Sequence, residues 1–225
     1  MNALSRVSRF TTLAAVLAVV AACLSGIKAL SESPARTNTK YPQHILIIRH
    51  AEKTGDKADV HLSKQGKERA EVLDQLFAVS KARPHSFPRP DFIFAASHQK
   101  DSQRPLETVT LLARKLKLSI NNEYNSKKPP ASSTTKDKKK AAKKKRMQEL
   151  RDEIFGSPKY FGKTILVAWR HSTIPELAKT LGASKVPAKW DDKVFDRVWQ
   201  ITYADDGKAI FRDLPQRLLP GDAEK

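Results

Sequence analysis

Three short apolar runs constrain this chain more than any other feature. They are His44–Arg49, Asp91–Ala96 and Lys163–Trp169. Each is too short for a core helix, rich in β-branched or aromatic residues, and apolar at consecutive positions. That pattern predicts strands buried on both faces. Between them the periodicity turns helical. Leu62 to Val79 carries Leu62, Ala70, Leu73, Leu76 and Phe77, with Ser63 as a cap, and Gln103 to Leu118 carries Leu106, Val109, Leu112, Ala113 and Leu116. A further helix is expected over Ala141–Phe155, and another over Ile174–Leu181 ended by Gly182. Val198–Tyr203 and Ala209–Phe211 flank Asp205-Asp206-Gly207, a hairpin signal. Strands alternating with helices predict an α/β fold, a three-layer sandwich around a mainly parallel central sheet.

In such sheets ligands bind beyond the carboxyl ends of the strands. Arg49 and His50 end the first run, Ser97 follows the second, and His171 follows the third; Arg104 opens the next helix. Residues remote in sequence are therefore expected to converge on one edge. Two imidazoles and two guanidinium groups there point to phosphate. Arginine offers a planar, permanently charged fork to phosphate oxygens, and a neutral imidazole can attack phosphorus and hold the group covalently. No metal is needed for this chemistry. The six histidines form no H-x-x-x-H pair, and the single cysteine, Cys23, excludes cysteine-cluster zinc sites and any intrachain disulfide. No cofactor is expected.

Several segments resemble the histidine phosphatase superfamily, the phosphoglycerate-mutase-like group. Arg49-His50-Ala51-Glu52 resembles its R-H-G/A-E signature, and Leu62-Ser63-Lys64-Gln65-Gly66-Lys67-Glu68-Arg69-Ala70 is similar to its L-T/S-x-x-G-x-x-x-A segment. Ser97 with Arg104-Pro105-Leu106-Glu107-Thr108, and Trp169-Arg170-His171-Ser172, are similar to two more. The resemblance implies a phosphomonoester hydrolase, with His50 as the phosphorylated nucleophile and Arg49, Arg104 and His171 completing the phosphate pocket. The alternative is a module of the same fold that binds phosphorylated ligands with little or no turnover. A glutamate in many members protonates the leaving oxygen. Here Glu107, one helical turn past Arg104, and Glu123, at a shorter spacing than usual, are both candidates. The sequence departs from the pattern at Ala51, in the longer gap from Ser97 to Arg104, and at Arg170, where glycine is commoner. The expected partner is a small phosphorylated substrate.

The remaining features concern location. Arg6 and Arg9 precede an apolar run from Phe10 to Leu24, and no acidic residue occurs before Glu32. Residues 1–30 therefore read as a signal peptide or a lipoprotein signal or anchor, because Val20-Ala21-Ala22-Cys23 resembles a lipobox. Residues 31–41 read as a tether, and residues 42–220 as the catalytic domain. The chain is expected to be exported to the periplasm or cell envelope, with lipid attachment at Cys23 as one route. The net charge is +18, and residues 127–146 supply half of it, with ten Lys or Arg against Asp137. This insert (126–146) is expected to be solvated, with a flexible first part, or to be drawn to an anionic membrane surface. Nucleic acid is not expected, since no aromatic residue is interleaved for base stacking.

Overall fold

The computed structural model describes residues 40–56, 58–96, 102–124 and 135–224. The proposed export segment with Cys23, most of the tether, Ser97, and Lys127 and Lys128 lie outside the described residues. The strands are β1 (His44–Arg49), β2 (Phe92–Ala95), β3 (Ile120–Asn121), β4 (Thr164–Trp169), β5 (Arg197–Tyr203) and β6 (Ala209–Pro215). The helices are α1 (Lys64–Glu71), α2 (Arg104–Leu116), α3 (Lys136–Gly156) and α4 (Ile174–Thr180). A short 3-10 helix, Leu73–Phe77, continues from α1. The expected single helix across Leu62–Val79 is thus split at Val72.

The sheet runs β3-β2-β4-β1-β5-β6. β1, β2, β3 and β4 are mutually parallel, while β5 and β6 pair antiparallel. The apolar runs of β1 and β4 are central, which explains why neither alternates: Ile45 to Ile48 and Ile165 to Ala168 have no solvent exposure. Alternate residues divide between two cores. Ile45, Ile47, Val167 and Trp169 pack beneath α3 and α4, with Met147, Leu150, Ile154 and Leu177. Leu46, Ile48, Leu166 and Ala168 face α2 and the 3-10 turn, with Leu73, Val109 and Leu112. The result is the expected three layers, a mixed sheet with helices on both sides. The three tryptophans lie in the first core.

Local chemistry sets the boundaries. The Ser63 side chain accepts from the Gly66 amide at 3.1 Å and caps α1. Pro105 opens α2, where its missing N–H costs nothing. Gly207, at φ 81°, turns the β5–β6 hairpin. Among the described residues no helix is long and apolar enough to cross a membrane.

Candidate active site

β1 and β4 pair in register, so Arg49 lies beside Trp169 and the following residues leave the sheet together. The His50 amide donates to the Trp169 carbonyl at 3.0 Å, extending that ladder to the histidine. His50 is buried, 4% exposed. Its Nδ1 lies 2.8 Å from the Ala51 carbonyl oxygen, which can only accept. Nδ1 therefore carries the proton, and Nε2 is left with its lone pair. Burial, chiefly, with the positive charges of Arg49 and Arg104 and the His171 ring, outweighs the Ala51 hydrogen bond and pushes the His50 imidazole down to about 3. The ring is neutral at physiological pH.

The next residues are locked by two helices. The Ala51 amide donates to Thr108 Oγ1 at 2.9 Å, and that hydroxyl donates to the Arg104 carbonyl at 2.8 Å, tying the strand end to the first turn of α2. On the other side Gly66 lies against the Glu52 backbone: a Cβ there would come 2.3 Å from the Glu52 carbonyl oxygen. The glycine of the L-S-x-x-G segment is thus required for close approach. The Glu52 carboxylate takes Arg69 Nε at 2.9 Å and Nη2 at 2.6 Å. Arg69 also binds Asp222 through Nη1 (2.9 Å) and Nη2 (2.8 Å), and Gln216 at 3.1 Å. Burial alone would lower the Arg69 guanidinium, but its hydrogen bonds to Asp222 and Glu52 outweigh it and hold it well above its ordinary value.

Arg49 is 1% exposed. Its Nη1 donates to the carbonyls of Asp191 (3.1 Å) and Val194 (2.9 Å). Nε and Nη2, the other edge of the fork, are buried and meet no acceptor among the described residues. Burial lowers the guanidinium to about 10, partly opposed by the charges of Asp192 and Glu52, so it stays charged. Arg104 donates through Nη1 to the Asp59 carbonyl at 2.7 Å, while its buried Nε meets no acceptor among the described residues. His171 Nδ1 is likewise buried without a partner. Burial, then Arg49 and Lys53, hold the His171 ring below its ordinary value against the pull of Asp192. The first turn of α2 adds the positive end of a helix dipole. Arg49, Arg104 and His171 are thus the groups whose charge bears on His50, and all three side chains offer nitrogens that meet no acceptor among the described residues.

The two expected proton donors sit in different surroundings. Glu107 Oε1 is 2.5 Å from His61 Nδ1, and Oε2 accepts from the Leu62 amide at 2.9 Å. It fastens the loop whose Asp59 carbonyl holds Arg104. Glu123 is exposed after β3, at the sheet edge, and its amide donates to the Asn121 side chain at 3.1 Å. Neither carboxylate hydrogen-bonds to His50 or His171. The acidic charge that acts on both Arg49 and His171 is Asp192. It lies in a segment, Trp190 to Phe195, that the sequence reading left unassigned; its one signal was an acidic pair in a basic chain. Among the described residues no group of three or more His, Cys, Asp or Glu is arranged to hold a metal.

No family model matches the chain, and no curated protein does. Solved structures match it. A protein from Escherichia coli K-12, provisionally assigned as an alpha-ribazole-5'-P phosphatase, superposes with a TM-score of 0.50 at 16% identity, covering 79% of this chain and 99% of that one. The alpha-ribazole phosphatase from Shigella flexneri gives 0.48 at 15% identity over 76% and 96% of the two chains. The protein histidine phosphatase SixA, complexed with tungstate, gives 0.44 at 14% over 77% and 97%. The first of these likenesses places the fold: this chain shares the α/β sandwich of that protein.

Proposed function

We propose that the chain is a phosphomonoester hydrolase that works through a phosphohistidine on His50, without a metal. One observation carries the reading. The Nε–Nη2 edge of Arg49, Nε of Arg104 and Nδ1 of His171 are buried without acceptors among the described residues, beside an imidazole held in the tautomer that frees Nε2. Buried donors left unpaired are costly, and a phosphoryl group supplies the missing oxygens. In this reading His50 Nε2 attacks phosphorus, and the ester P–O bond breaks with its electron pair on the leaving oxygen, which takes up a proton. Water then cleaves the N–P bond and releases inorganic phosphate. Arg49 and Arg104 balance the charge on the equatorial oxygens, and His171 donates to one of them. Of the two carboxylates nominated for the leaving-group proton, Glu107 has both oxygens engaged and Glu123 is exposed, so this reading assigns the proton to neither.

The test is hydrolysis of an aryl phosphate in the presence of a chelator. Wild type is expected to turn over and His50→Ala to fall to background. Acid quenching during turnover should trap acid-labile phosphate on the wild-type protein alone. Activity that survives the substitution removes the mechanism.

The engagement of both Glu107 oxygens favours a second reading, a binder of phosphorylated ligands with little turnover. Tungstate binding without hydrolysis of any ester in a broad panel would establish it. With either reading we propose export directed by residues 1–30, the basic segment being solvated or drawn to an anionic surface. Fractionation of wild type and Cys23→Ser tests export and lipid attachment.

A further inference from the structure

The loop before α1 fastens to the start of α2 through four consecutive residues, Asp59 to Leu62. The Asp59 carbonyl accepts from Arg104 Nη1 at 2.7 Å, and the Val60 carbonyl from the Gln103 amide at 2.9 Å. His61 Nδ1 meets Glu107 Oε1 at 2.5 Å, and the Leu62 amide donates to Glu107 Oε2 at 2.9 Å. Behind these contacts Asp59 Oδ1 accepts from the His61 amide at 2.8 Å and Oδ2 from Thr54 Oγ1 at 3.0 Å, which joins the Asp59 carbonyl and the His61 ring in one turn. What this turn holds gives it consequence. Arg104 Nε is buried with no acceptor among the described residues, while Nη1 of the same planar fork rests on the Asp59 carbonyl. Whatever seats that carbonyl aims the guanidinium.

His61 differs from the other anchors. Packing does not demand a histidine there, since its side chain is 53% exposed. The contacts of Asp59, Val60 and Leu62 are built from amides, carbonyls, a guanidinium and a carboxylate, chemical types that do not ordinarily titrate near neutrality. The contact of His61 contains an imidazole, the type that does. With the proton on, the bond to a carboxylate is charge-assisted and roughly twice as strong as a neutral one, and an opposite charge in contact favours that form. Glu107 and Arg104 face this loop from α2, Asp59 lies within it, Lys53 pairs with Leu62 across an isolated bridge, and Lys64 opens α1. Of these, the carboxylates of Glu107 and Asp59 hydrogen-bond to His61 itself.

We propose that His61 is a positioning residue for the oxyanion: through Glu107 it sets how firmly the Asp59 carbonyl aims Arg104, so that affinity for a phosphoryl group rises when the ring takes up a proton. The inference rests on Arg104 serving the phosphate pocket described above, and adds to that pocket a response to acidity.

Calorimetric titration of the full chain with sulfate tests this without turnover, because sulfate keeps both its charges from pH 6 to pH 8.5. Over that range wild type should lose about two- to fivefold more affinity than His61→Gln, the size expected of an exposed ion pair. His61→Gln keeps a donor for Glu107 but no charge, so the comparison isolates the proton. In a Glu107→Gln background the same substitution should leave the pH profile unchanged. Parallel profiles for wild type and His61→Gln overturn the positioning role. A His61 effect that survives in Glu107→Gln also overturns it, in favour of long-range attraction by the ring's charge. Failure of the phosphate pocket itself looks different: wild type and Arg104→Met would bind sulfate equally poorly at every pH, and the role of His61 falls with it.

Discussion

The guanidinium carbon of Arg49 sits 3.7 Å from the centre of the Phe195 ring. Phe195 covers one face of the fork while the Asp191 and Val194 carbonyls hold Nη1, so the free edge can point in only one direction. Removing the ring face while keeping bulk, as in Phe195→Leu, should cost about 1–2 kcal/mol of oxyanion binding, the size of a desolvated cation–π contact. Tungstate titration is the check; an unchanged affinity would show that the carbonyls alone orient Arg49.

The His50 ring should ignore pH over the range where an ordinary histidine titrates. Its value of about 3 lies below the ordinary 6.5. The C2 proton of His50 should hold its NMR shift from pH 8 to pH 5. The sign for stability follows: the unfolded ring takes up a proton near pH 6.5, the folded ring only near 3. Stability from this group is therefore present above pH 6.5 and lost as pH falls between those values. Urea unfolding should find wild type less stable at pH 5 than at pH 7.5, and His50→Gln should narrow that difference.

Glu107→Gln separates a proton donor from a loop anchor. With its oxygens on His61 and Leu62, the carboxylate is expected to act through Arg104. The variant should raise KM for aryl and alkyl phosphates alike and change kcat little. A collapse of kcat confined to alkyl phosphates, whose leaving groups need a proton, would restore Glu107 as the acid. Glu123→Gln, at an exposed position, should change neither constant.

Asp222→Asn should destabilise the fold by about 1–3 kcal/mol, because Arg69 keeps the Glu52 carboxylate but loses the charge-assisted hydrogen bonds to Asp222. Burial alone would raise the Asp222 carboxyl, but the hydrogen bonds from Arg69 and the Leu219 and Leu218 amides outweigh it and hold it below 3.8. Its stabilisation is thus present above pH 3.8 and lost as pH falls through the folded value. Thermal unfolding from pH 3 to pH 7 should be less pH-dependent at the acid end in the variant.

The sequence carried the parts of this molecule that burial dictates. β1 and β4 are central strands, and unbroken apolar runs such as Ile45–Ile48 have no other comfortable home. β3 was not legible: two residues at a sheet edge, one of them Asn121, leave no periodic signal. α3 begins at Lys136 rather than the expected Ala141, because its lysines favour helix without forming an apolar stripe. At the site, Arg49, His50 and His171 follow from strand ends, and Arg104 from a helix start. What Glu107 touches does not follow from its spacing, because the loop through His61 is placed by tertiary contacts. The pairing of Arg69 with Asp222 lies beyond any local pattern.

That pairing has a bearing on how damage spreads through the molecule. Asp222 sits more than 150 residues downstream of Arg69, and Arg69 in turn holds Glu52, two positions after the proposed nucleophile. A substitution in the loop around Asp222 therefore reaches the backbone next to His50 without touching it, through a single guanidinium shared by two carboxylates.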